Sequence, residues 1–483
     1  MSNEQLVAKV WNYAHVLRDQ GISYGDYIEQ ITYLLFLKMD AERVELLGEK
    51  SGIPEQWSWP RLVALDGDAL ELQYRHTLEQ LASESGLIGT IFRKSQNKLS
   101  DPAKLKRVVS LIDSEGPWIG LDVDVKGEIY EGLLERNASE VKSGAGQYFT
   151  PRPVIEAMVR CVDPRITETV CDPACGTGGF LLAAFDHMKG QSQDRAQQRR
   201  LIRDGLAGTD IVDEVVRLCA MNLYLHGMGN GESPVTQGDA LASDGGRRFD
   251  VVLTNPPFGK KSSYQVVGAD GSVSTERENY EREDFSFTTS NKQLNFLQHI
   301  MTILESHGRA GVVMPDNVLF EAGRAGEGIR RRLLTQFNFH TLLRLPTGIW
   351  YSPGVKANVL FFDKRPPRAD GKPHTEALWV YDYRTNVHKT LKTRPLVHGD
   401  LDDFVACWQQ REETERFKRF RIDELLARDK LNLDLFWLRD DSLQDLDNLP
   451  PPDELAAEIV DNLQAALESF AEVSAVLVET ARG

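Results

Sequence analysis

Residues 172–180 read Asp-Pro-Ala-Cys-Gly-Thr-Gly-Gly-Phe. The segment before them, 167–171, is short and compatible with a β-strand, and an apolar run with helical period starts at Phe180. The stretch therefore predicts a strand, a glycine turn and a helix. Its three glycines permit positive φ and bring bare backbone N–H groups and a helix N-terminus close to a ligand.

The acid at the end of this strand, Asp172, is placed to face that ligand. A phosphate-binding loop would carry Lys followed by Ser or Thr, and the dinucleotide fingerprint would read G-x-G-x-x-G. Neither pattern is present. A carboxylate suits a ligand with a cationic end, such as the amino group of S-adenosylmethionine (AdoMet). An ordinary strand-to-helix turn explains the glycine spacing equally well, so the loop alone does not decide the function.

A second motif, Asn255-Pro256-Pro257-Phe258, follows a buried-type strand predicted for residues 249–254. The two prolines fix φ and donate no hydrogen bond, so the carbonyls around them are rigid acceptors. The Asn oxygen and a proline carbonyl can together accept both hydrogens of one NH₂ group, and Phe258 offers a face for a base. An isolated tetrapeptide of this kind also fits a loop with a buried aromatic residue. Its position, at the end of the fourth predicted strand, favours the clamp.

These two motifs belong to an ordered set that covers roughly residues 125 to 365. Each member is weak alone, and the order makes the set specific. The segments are Gly146 to Arg152, Asp172 to Phe180, Gly208 to Asp210, Gly238-Asp239, Asn255 to Phe258, Gln293 to Phe296, and Leu345 to Ile349. In this order they resemble the amino-group DNA methyltransferases, in particular the modification (methylation) subunit of Type I restriction-modification systems.

The resemblance implies that the segment before the glycine loop packs against AdoMet. This chain has Tyr148-Phe149 where many family members have Phe-Tyr, which keeps the stacking surface and puts a role for the phenol in doubt. Acids at the tips of the second and third strands, Asp210 and Asp239, are placed to hold the ribose hydroxyls and the adenine amine. A turn aspartate without a ligand explains Asp239 as well. The predicted cofactor-binding residues are Gln147, Tyr148, Phe149, Thr150, Pro151, Arg152, Asp172, Gly176, Thr177, Gly178, Gly179, Asp210 and Asp239, and the predicted catalytic residues are Asn255, Pro256, Pro257 and Phe258.

Alternating strands and helices predict a doubly wound α/β domain of the AdoMet-dependent methyltransferase fold, with ligands at the carboxyl ends of the strands. We expect an N-terminal helical domain over 1–138, the catalytic domain over 139–400, and a C-terminal helical tail over 401–483. The apolar stripes of the first domain indicate core packing. A cap over DNA, or a docking surface, is the alternative that the resemblance implies. Residues 259–292, which are polar and without periodicity, predict a long loop whose role the sequence leaves open.

A chain of 483 residues exceeds the size of one core, so two or three domains are expected. The apolar run 31–37 is far shorter than the roughly 20 residues that span a bilayer, and no basic-then-apolar signal segment begins the chain. We therefore expect a cytoplasmic protein without membrane contact. Five cysteines without a paired CxxC predict no metal site.

The net charge of −16 argues against this chain holding DNA by itself, because phosphate contacts need Lys and Arg. The resemblance implies double-stranded DNA as substrate, a separate specificity subunit and a second copy of this chain. It leaves open a restriction (nuclease and translocase) subunit. Residues 441–483 carry ten acidic residues and one Arg, with apolar residues at helical spacing. We expect a helix at 452–478 that docks on the specificity subunit; packing on its own domain is the alternative.

The clamp suits an amine that is a poor nucleophile, because the lone pair of adenine N6 is delocalised into the ring. Accepting both N–H bonds frees that lone pair and stabilises the positive charge that develops on methyl transfer. The base must first be flipped out of the duplex, and Phe258 can stack on it. The Asn and the resemblance favour adenine N6 over cytosine N4. A protein glutamine amide, or a catalytically silent AdoMet-binding module, remains as an alternative.

Overall fold

The computed structural model describes most of the chain, in seven stretches and two strand backbones. The fully described residues are 24–115, 118, 150–228, 231–258, 280–350, 355–391 and 393–440, and the backbone is also described at 263–267 and 273–277. The predicted docking helix at 452–478 and the predicted site residues Gln147, Tyr148 and Phe149 lie outside these stretches.

Fourteen α-helices occur in the described residues. They are α1 (Tyr24–Leu47), α2 (Trp59–Val63), α3 (Gly67–Ala82), α4 (Gly86–Phe92), α5 (Pro102–Ser114), α6 (Arg152–Val162), α7 (Gly179–Lys189), α8 (Arg195–Asp204), α9 (Asp213–Leu223), α10 (Lys292–Ile303), α11 (Asn317–Phe320), α12 (Arg324–Thr335), α13 (Asp402–Gln410) and α14 (Ile422–Leu426).

Eleven strands accompany them in the same stretches. They are β1 (Val170–Asp172), β2 (Leu206–Asp210), β3 (Val235–Gln237), β4 (Phe249–Thr254), β5 (Ser263–Val267), β6 (Val273–Arg277), β7 (Leu304–Pro315), β8 (Phe337–Arg344), β9 (Ala357–Lys364), β10 (Ala377–Asp382) and β11 (Phe417–Arg421).

The chain divides into two compact units. The first contains residues 1–149 and 163–245, and the second contains residues 150–162 and 246–483. The helical N-terminal region thus shares a unit with strands β1 to β3, and residues 402–440 share a unit with β4 to β11. The three domain limits predicted from the sequence, 1–138, 139–400 and 401–483, stay a prediction.

In the first unit, β1, β2 and β3 are parallel and adjacent in that order. Helices α7 and α8 connect β1 to β2, and α9 connects β2 to β3. Asp172 pairs with Gly208 and Asp210 pairs with Gln237, so the ends of the three strands fall at one edge. Polar residues that follow these strands are therefore brought together, as parallel pairing requires.

The N-terminal helices pack on this sheet region through a buried polar network. Arg43 donates to the carbonyl of Tyr224 at 3.1 Å and to Asp40 at 3.1 Å, and the Tyr224 hydroxyl donates to Asp40 at 2.8 Å. Arg217 of α9 donates to the hydroxyl of Tyr33 at 2.8 Å. Burial raises the pKa of Tyr224 to about 12, so its hydroxyl stays a donor near neutral pH. Removing one partner would leave a buried charge uncompensated, which is strongly destabilising.

The second unit holds a six-stranded mixed sheet with the order β4-β7-β9-β8-β10-β11. Strands β4 and β7 are parallel, as are β8 and β10, whereas β9 and β11 run antiparallel to their neighbours. Five of the six residues of β4 are buried, as expected for a strand covered on both faces. Its end delivers the next residue, Asn255, to the edge of the sheet.

Two expectations about local structure are wrong. The stretch 259–292 was expected to be a loop without regular structure, yet β5 and β6 pair in it as an antiparallel hairpin. The sequence predicts a helical tail over 401–483, but in its described part β11 joins the sheet beside β10 through the pairs Trp379 with Arg419 and Tyr381 with Phe417. Short strands of this kind carry little periodicity, because the cross-strand neighbour decides their conformation. Within the described stretches, no helix is long and apolar enough to span a membrane.

Candidate active site

The glycine loop of the first unit joins β1 to α7. Gly176 and Gly178 have φ of 52° and 90°, in the left-handed region that favours glycine. Gly178 caps α7, and the N–H of Leu182 already donates to its carbonyl at 2.8 Å. A Cβ on Gly178 would lie 2.6 Å from the Sγ of Cys219. Both the backbone conformation and the close approach of α9 therefore require glycine here.

Two buried carboxylates shape this loop. Asp172 is 1% exposed, and its Oδ1 accepts from the N–H of Ala174 at 3.0 Å. Asp210 accepts from the N–H of Gly176 at 3.1 Å and from the N–H of Val212 at 2.9 Å. Burial raises the pKa of Asp210, and these N–H groups offset part of that rise. The structure thus brings together the acids and the glycines that the sequence analysis selected.

The other predicted cofactor-binding residues of the first unit have contacts that differ from those of Asp172 and Asp210. Asp239 lies two residues beyond β3, half-buried, and its Oδ1 accepts from the N–H of Leu241 at 2.9 Å, which is the geometry of a turn aspartate. Thr177 is buried, and its carbonyl accepts from Asn222 at 2.9 Å. Gly179 begins α7. The turn therefore explains the presence of Asp239 without any contact to a cofactor.

Cys175 lies inside the glycine loop beside Cys219. Its pKa is raised by a hydrogen bond with Cys219 and by burial. Both thiols are fully enclosed, so they act as small packing groups rather than as nucleophiles. Among the described residues, no group of three or more His, Cys, Asp and Glu side chains is arranged to hold a metal ion.

The Asn-Pro-Pro-Phe clamp lies in the second unit, directly after β4. The amide nitrogen of Asn255 donates to the hydroxyl of Thr150 at 2.9 Å. Its Oδ1 is buried and has no hydrogen-bond partner among the described residues. Pro256 is buried, and Pro257 is half-buried. A buried amide oxygen without a donor is unfavourable, so this atom is a candidate acceptor for a ligand.

Phe258 is held from two sides. Its ring meets that of Trp350 edge-on, with centroids 5.5 Å apart and planes at 88°. Its carbonyl accepts from the side-chain amide of Gln293, which lies in the first turn of α10 and is fully buried. Gln293 in turn accepts from Asn317 at 2.9 Å. The ring position is therefore fixed by a chain of amide hydrogen bonds and an aromatic neighbour.

Thr150, Gln293 and Trp350 contribute to the site in ways that sequence reasoning missed. Thr150 was assigned to the cofactor, whereas its hydroxyl contacts the clamp amide. Gln293 was selected only as a member of a motif, and Trp350 not at all. Of the neighbouring predicted residues, Pro151 is buried and Arg152 begins α6. Sequence spacing could not reveal these contacts because each joins segments far apart in the chain.

The motif Leu345 to Ile349 follows β8 and ends next to Trp350. Gly348 has φ of 79°, and a Cβ there would lie 2.1 Å from the carbonyl oxygen of Lys389. Arg384 donates to the carbonyl of Leu345 at 2.8 Å and pairs with both oxygens of Asp316 at 2.7 and 2.9 Å. A bidentate pair of this kind gives a rigid anchor. It fixes the segment that positions the Trp350 ring.

Comparison with known proteins agrees with this geometry. Residues 121–437 match the family model described as N-6 DNA Methylase, and residues 6–112 match the HsdM N-terminal domain. The methylase subunit of the Type I restriction enzyme StySPI from Salmonella potsdam is 36% identical, over 100% of this chain and 96% of the relative. This chain belongs to the family of Type I restriction enzyme methylase subunits.

Two further relatives of this methylase subunit extend the comparison. The methylase subunit of EcoKI from Escherichia coli K12 is 36% identical over 97% of this chain and 94% of the relative. The crystal structure of a modification subunit from Vibrio vulnificus aligns with a TM-score of 0.70 at 27% identity, over 88% of this chain and 93% of that one. The predicted family, α/β methyltransferase fold and enzyme class are confirmed: the chain is an N6-adenine DNA methyltransferase subunit.

The residues of this methylase subunit fit AdoMet, the cofactor that the family implies. The first unit offers two buried carboxylates, Asp172 and Asp210, for a ligand rich in hydroxyl and amino groups. The positive φ of Gly176 and Gly178 opens the backbone beside them. When bound, AdoMet supplies a methyl group on a sulfonium centre.

Gly178→Ala is expected to raise the dissociation constant for AdoMet about tenfold. The side-chain methyl group of the new alanine would collide with Cys219. Placing alanine in the left-handed backbone conformation would cost roughly 1–2 kcal/mol, which corresponds to about a tenfold change in affinity. Gly190→Ala is the matched control, because Gly190 has φ of −66° and its new Cβ would meet nothing closer than 3.5 Å. Isothermal titration with AdoMet measures both. Equal affinity in the two variants would contradict the role given to the loop.

Gln293→Ala is expected to raise the apparent KM for DNA and to lower methylation about tenfold, with the KM for AdoMet unchanged. The variant removes one hydrogen bond that positions Phe258. Gln80→Ala, on the exposed face of α3, is the control. Steady-state kinetics of the chain assembled with its specificity subunit, with each substrate varied in turn, separate the two constants. A rise in the AdoMet KM alone would show that Gln293 does not act through the stacking ring.

Proposed function

We propose that the chain transfers the methyl group of AdoMet to N6 of an adenine flipped out of double-stranded DNA, with Asn255 to Phe258 as the catalytic clamp. The observation that carries this proposal is the buried Oδ1 of Asn255, which has no hydrogen-bond partner in the part of the chain that the structure describes and whose amide nitrogen donates to Thr150. The orientation matters, because an amide that donates to Thr150 presents its oxygen for another donor.

The clamp acts on the nucleophile. Oδ1 of Asn255 accepts one N–H of the adenine amine, and the carbonyl of Pro256 accepts the other. The two acceptors favour a tetrahedral nitrogen and stabilise the positive charge that grows on it as the new C–N bond forms. AdoMet, when bound, would supply the methyl group and would keep the electrons of the C–S bond that breaks. The proton departs after this charge has developed, so the site needs alignment more than a strong base.

Phe258 captures the flipped base. Its half-buried ring is supported edge-on by Trp350, which leaves a face for stacking. Stacking on an aromatic ring is worth about 1–3 kcal/mol per base, enough to offset part of the cost of unstacking. The clamp fits an exocyclic amine of either adenine or cytosine. Family membership favours adenine, and digestion of the methylated DNA to nucleosides would separate N6-methyladenine from N4-methylcytosine.

The cofactor is proposed to bind along the edge of β1 and β2. Asp172 suits the cationic amino group, and Asp210 suits the ribose hydroxyls, as acids at strand tips do in doubly wound folds. Asp239 is proposed for the adenine amine of AdoMet. The backbone of Gly176 to Gly179 lets the ligand approach. Gln147 to Arg152 are proposed to pack against it, although Thr150 also serves the clamp.

Asn255→Ala is expected to lower the methylation rate on the order of 10²-fold and to leave AdoMet binding nearly intact, because it removes one transition-state acceptor. Thr150→Val is expected to lower the rate less, since it only frees the amide to rotate. Thr150→Ser keeps the hydroxyl and is the control. Single-turnover transfer of a labelled methyl group measures all three. Wild-type rates in Asn255→Ala would refute the clamp.

DNA recognition is proposed to come from a separate specificity subunit. The chain carries 56 basic against 72 acidic residues, which is a poor composition for base reading and phosphate contact. The acidic, apolar-striped segment 452–478 is proposed to dock on that subunit, in a cytoplasmic complex with a second copy of this chain. A restriction subunit would complete a nuclease.

The isolated chain is therefore expected to bind AdoMet and to methylate DNA poorly until the specificity subunit is added. A chain ending at Pro450 is expected to bind AdoMet normally and to lose complex formation, as judged by co-purification. Sequence-specific methylation by the purified chain alone would refute the need for a partner. A truncated chain that still co-purifies would refute the docking segment only.

A further inference from the structure

The second unit contains a cavity of about 560 Å³ away from the clamp. Its lining includes Asn338 and His340 near the start of β8, Asp363 near the end of β9, and Trp379 near the start of β10. The clamp follows the carboxyl end of β4, which runs parallel to β7 and hence antiparallel to β9. The cavity therefore lies at the opposite edge of this sheet from the clamp.

Arg411 is the central group of this cavity. Its guanidinium donates to the hydroxyl of Thr341 at 2.6 Å and lies over the Trp408 ring, 4.5 Å from the centroid. Burial lowers its pKa. Among the described residues, no carboxylate lies within ion-pair distance of it. A half-buried cation without a counterion is an unusual arrangement, since buried charges are normally paired.

The backbone of Arg411 supports the same conclusion. The residue follows α13 with φ of 55°, at the helix C-terminus position where glycine is most favourable. An arginine there carries the strain of a left-handed conformation. Its side chain, however, reaches Trp408 and Thr341 from this position. The strained backbone is thus coupled to the placement of the guanidinium.

Asp363, a carboxylate of the cavity lining, already has partners of its own. Asp363 accepts from Asn338 at 3.0 Å, pairs with Arg365 at 3.2 Å and faces His340 at 3.4 Å. Burial alone would raise the pKa of Asp363, but these partners lower it to about 2. Asp363 therefore forms its ion pair with Arg365, and its charge reaches Arg411 only from beyond ion-pair distance.

Three more charged side chains of the lining differ in their pairing. Arg368 is paired with Asp370 at 2.8 Å. Arg419 and Glu376 are exposed, and no ion pair involves either of them in the part of the chain that the structure describes. The cavity thus presents the cations Arg411 and Arg419 against one unpaired carboxylate, in a chain whose net charge is −16.

Two indole rings complete the lining. Trp379 stacks on Phe417 with centroids 4.8 Å apart and planes at 24°, which supports one face of the ring. Trp408 is supported by His340 and Phe361 at 5.2 and 4.8 Å. Both indoles are half-buried at the cavity wall. Supported aromatic faces beside arginines are the features that bind a base together with its phosphate.

We propose that this cavity binds a nucleotide, with the phosphate at Arg411 and Arg419 and the base against the Trp379 and Trp408 wall. The nucleotide is either free or part of a nucleic acid strand. The volume lies within the range of small-ligand sites, 300–1,000 Å³ as an order of magnitude. The cavity is separate from the clamp, so the proposed nucleotide binding can be tested independently of the proposed methyl transfer.

The test is isothermal titration of the full chain with two probes at low salt. The probes are thymidine 5′-monophosphate, which avoids the adenosine specificity of the cofactor site, and a single-stranded oligothymidylate. Binding of the monophosphate would identify a free nucleotide as ligand, and binding of the oligonucleotide alone would identify a strand. The absence of binding by both probes would overturn the proposal.

Variants locate the binding. Arg411→Gln and Arg419→Gln are each expected to weaken probe binding about tenfold, since each removes a charge-assisted contact. Arg199→Gln, an exposed arginine of α8, is the matched control. Arg411→Gly relieves the left-handed strain, so it is expected to fold as stably as wild type and still to lose binding. Unchanged probe affinity in Arg411→Gly and Arg419→Gln, with AdoMet affinity intact, would overturn the assignment.

Discussion

The buried amide oxygen of Asn255 sets the main constraint on the second unit. An acceptor shielded from water and without a donor costs about 1–3 kcal/mol, so it persists only if the surrounding structure permits no alternative orientation. In the observed orientation Thr150 accepts from the amide nitrogen, and the two prolines that follow fix the backbone. In the proposed mechanism, this cost would be recovered when a substrate amine donates to the oxygen.

A second layer of residues holds this arrangement without contacting the amide. Gln293 holds the carbonyl of Phe258, and Asn317 orients Gln293. Arg384 and Asp316 anchor the segment that leads to Trp350. Each contact is a hydrogen bond or ion pair between segments far apart in the chain. Precision at the clamp therefore comes from the packing of the whole mixed sheet rather than from the tetrapeptide.

Charge is distributed unevenly over the molecule, and this has functional consequences. A net charge of −16 opposes association with DNA, because the summed field repels phosphates. The cavity around Arg411 is an exception, because this cation is held by an aromatic and a hydroxyl neighbour instead of a carboxylate. The proposed specificity subunit would supply the positive field that the chain lacks. The cationic cavity is compatible with the negative net charge, because the cavity acts locally whereas the net charge acts over the whole surface.

The sequence by itself determined the family, the α/β fold and most of the central strands and helices. Strand β4 was predicted with its observed bounds, and the acids Asp172 and Asp210 were correctly placed at strand tips. These features depend on local signals: apolar runs, glycines that need positive φ, and prolines that end a strand. Such signals can be read from the sequence alone because they depend on the conformations that each residue and its chain neighbours allow.

Only the tertiary structure decided which side chains meet. It joined Thr150 to Asn255, Gln293 to Phe258 and Arg411 to Thr341. It also added strand β11 to the sheet and formed the hairpin of β5 and β6 where no periodicity was visible. The physical reason is that a strand without an alternating pattern, or a hydrogen bond across a hundred residues, gains its stability from a partner that the local sequence does not specify.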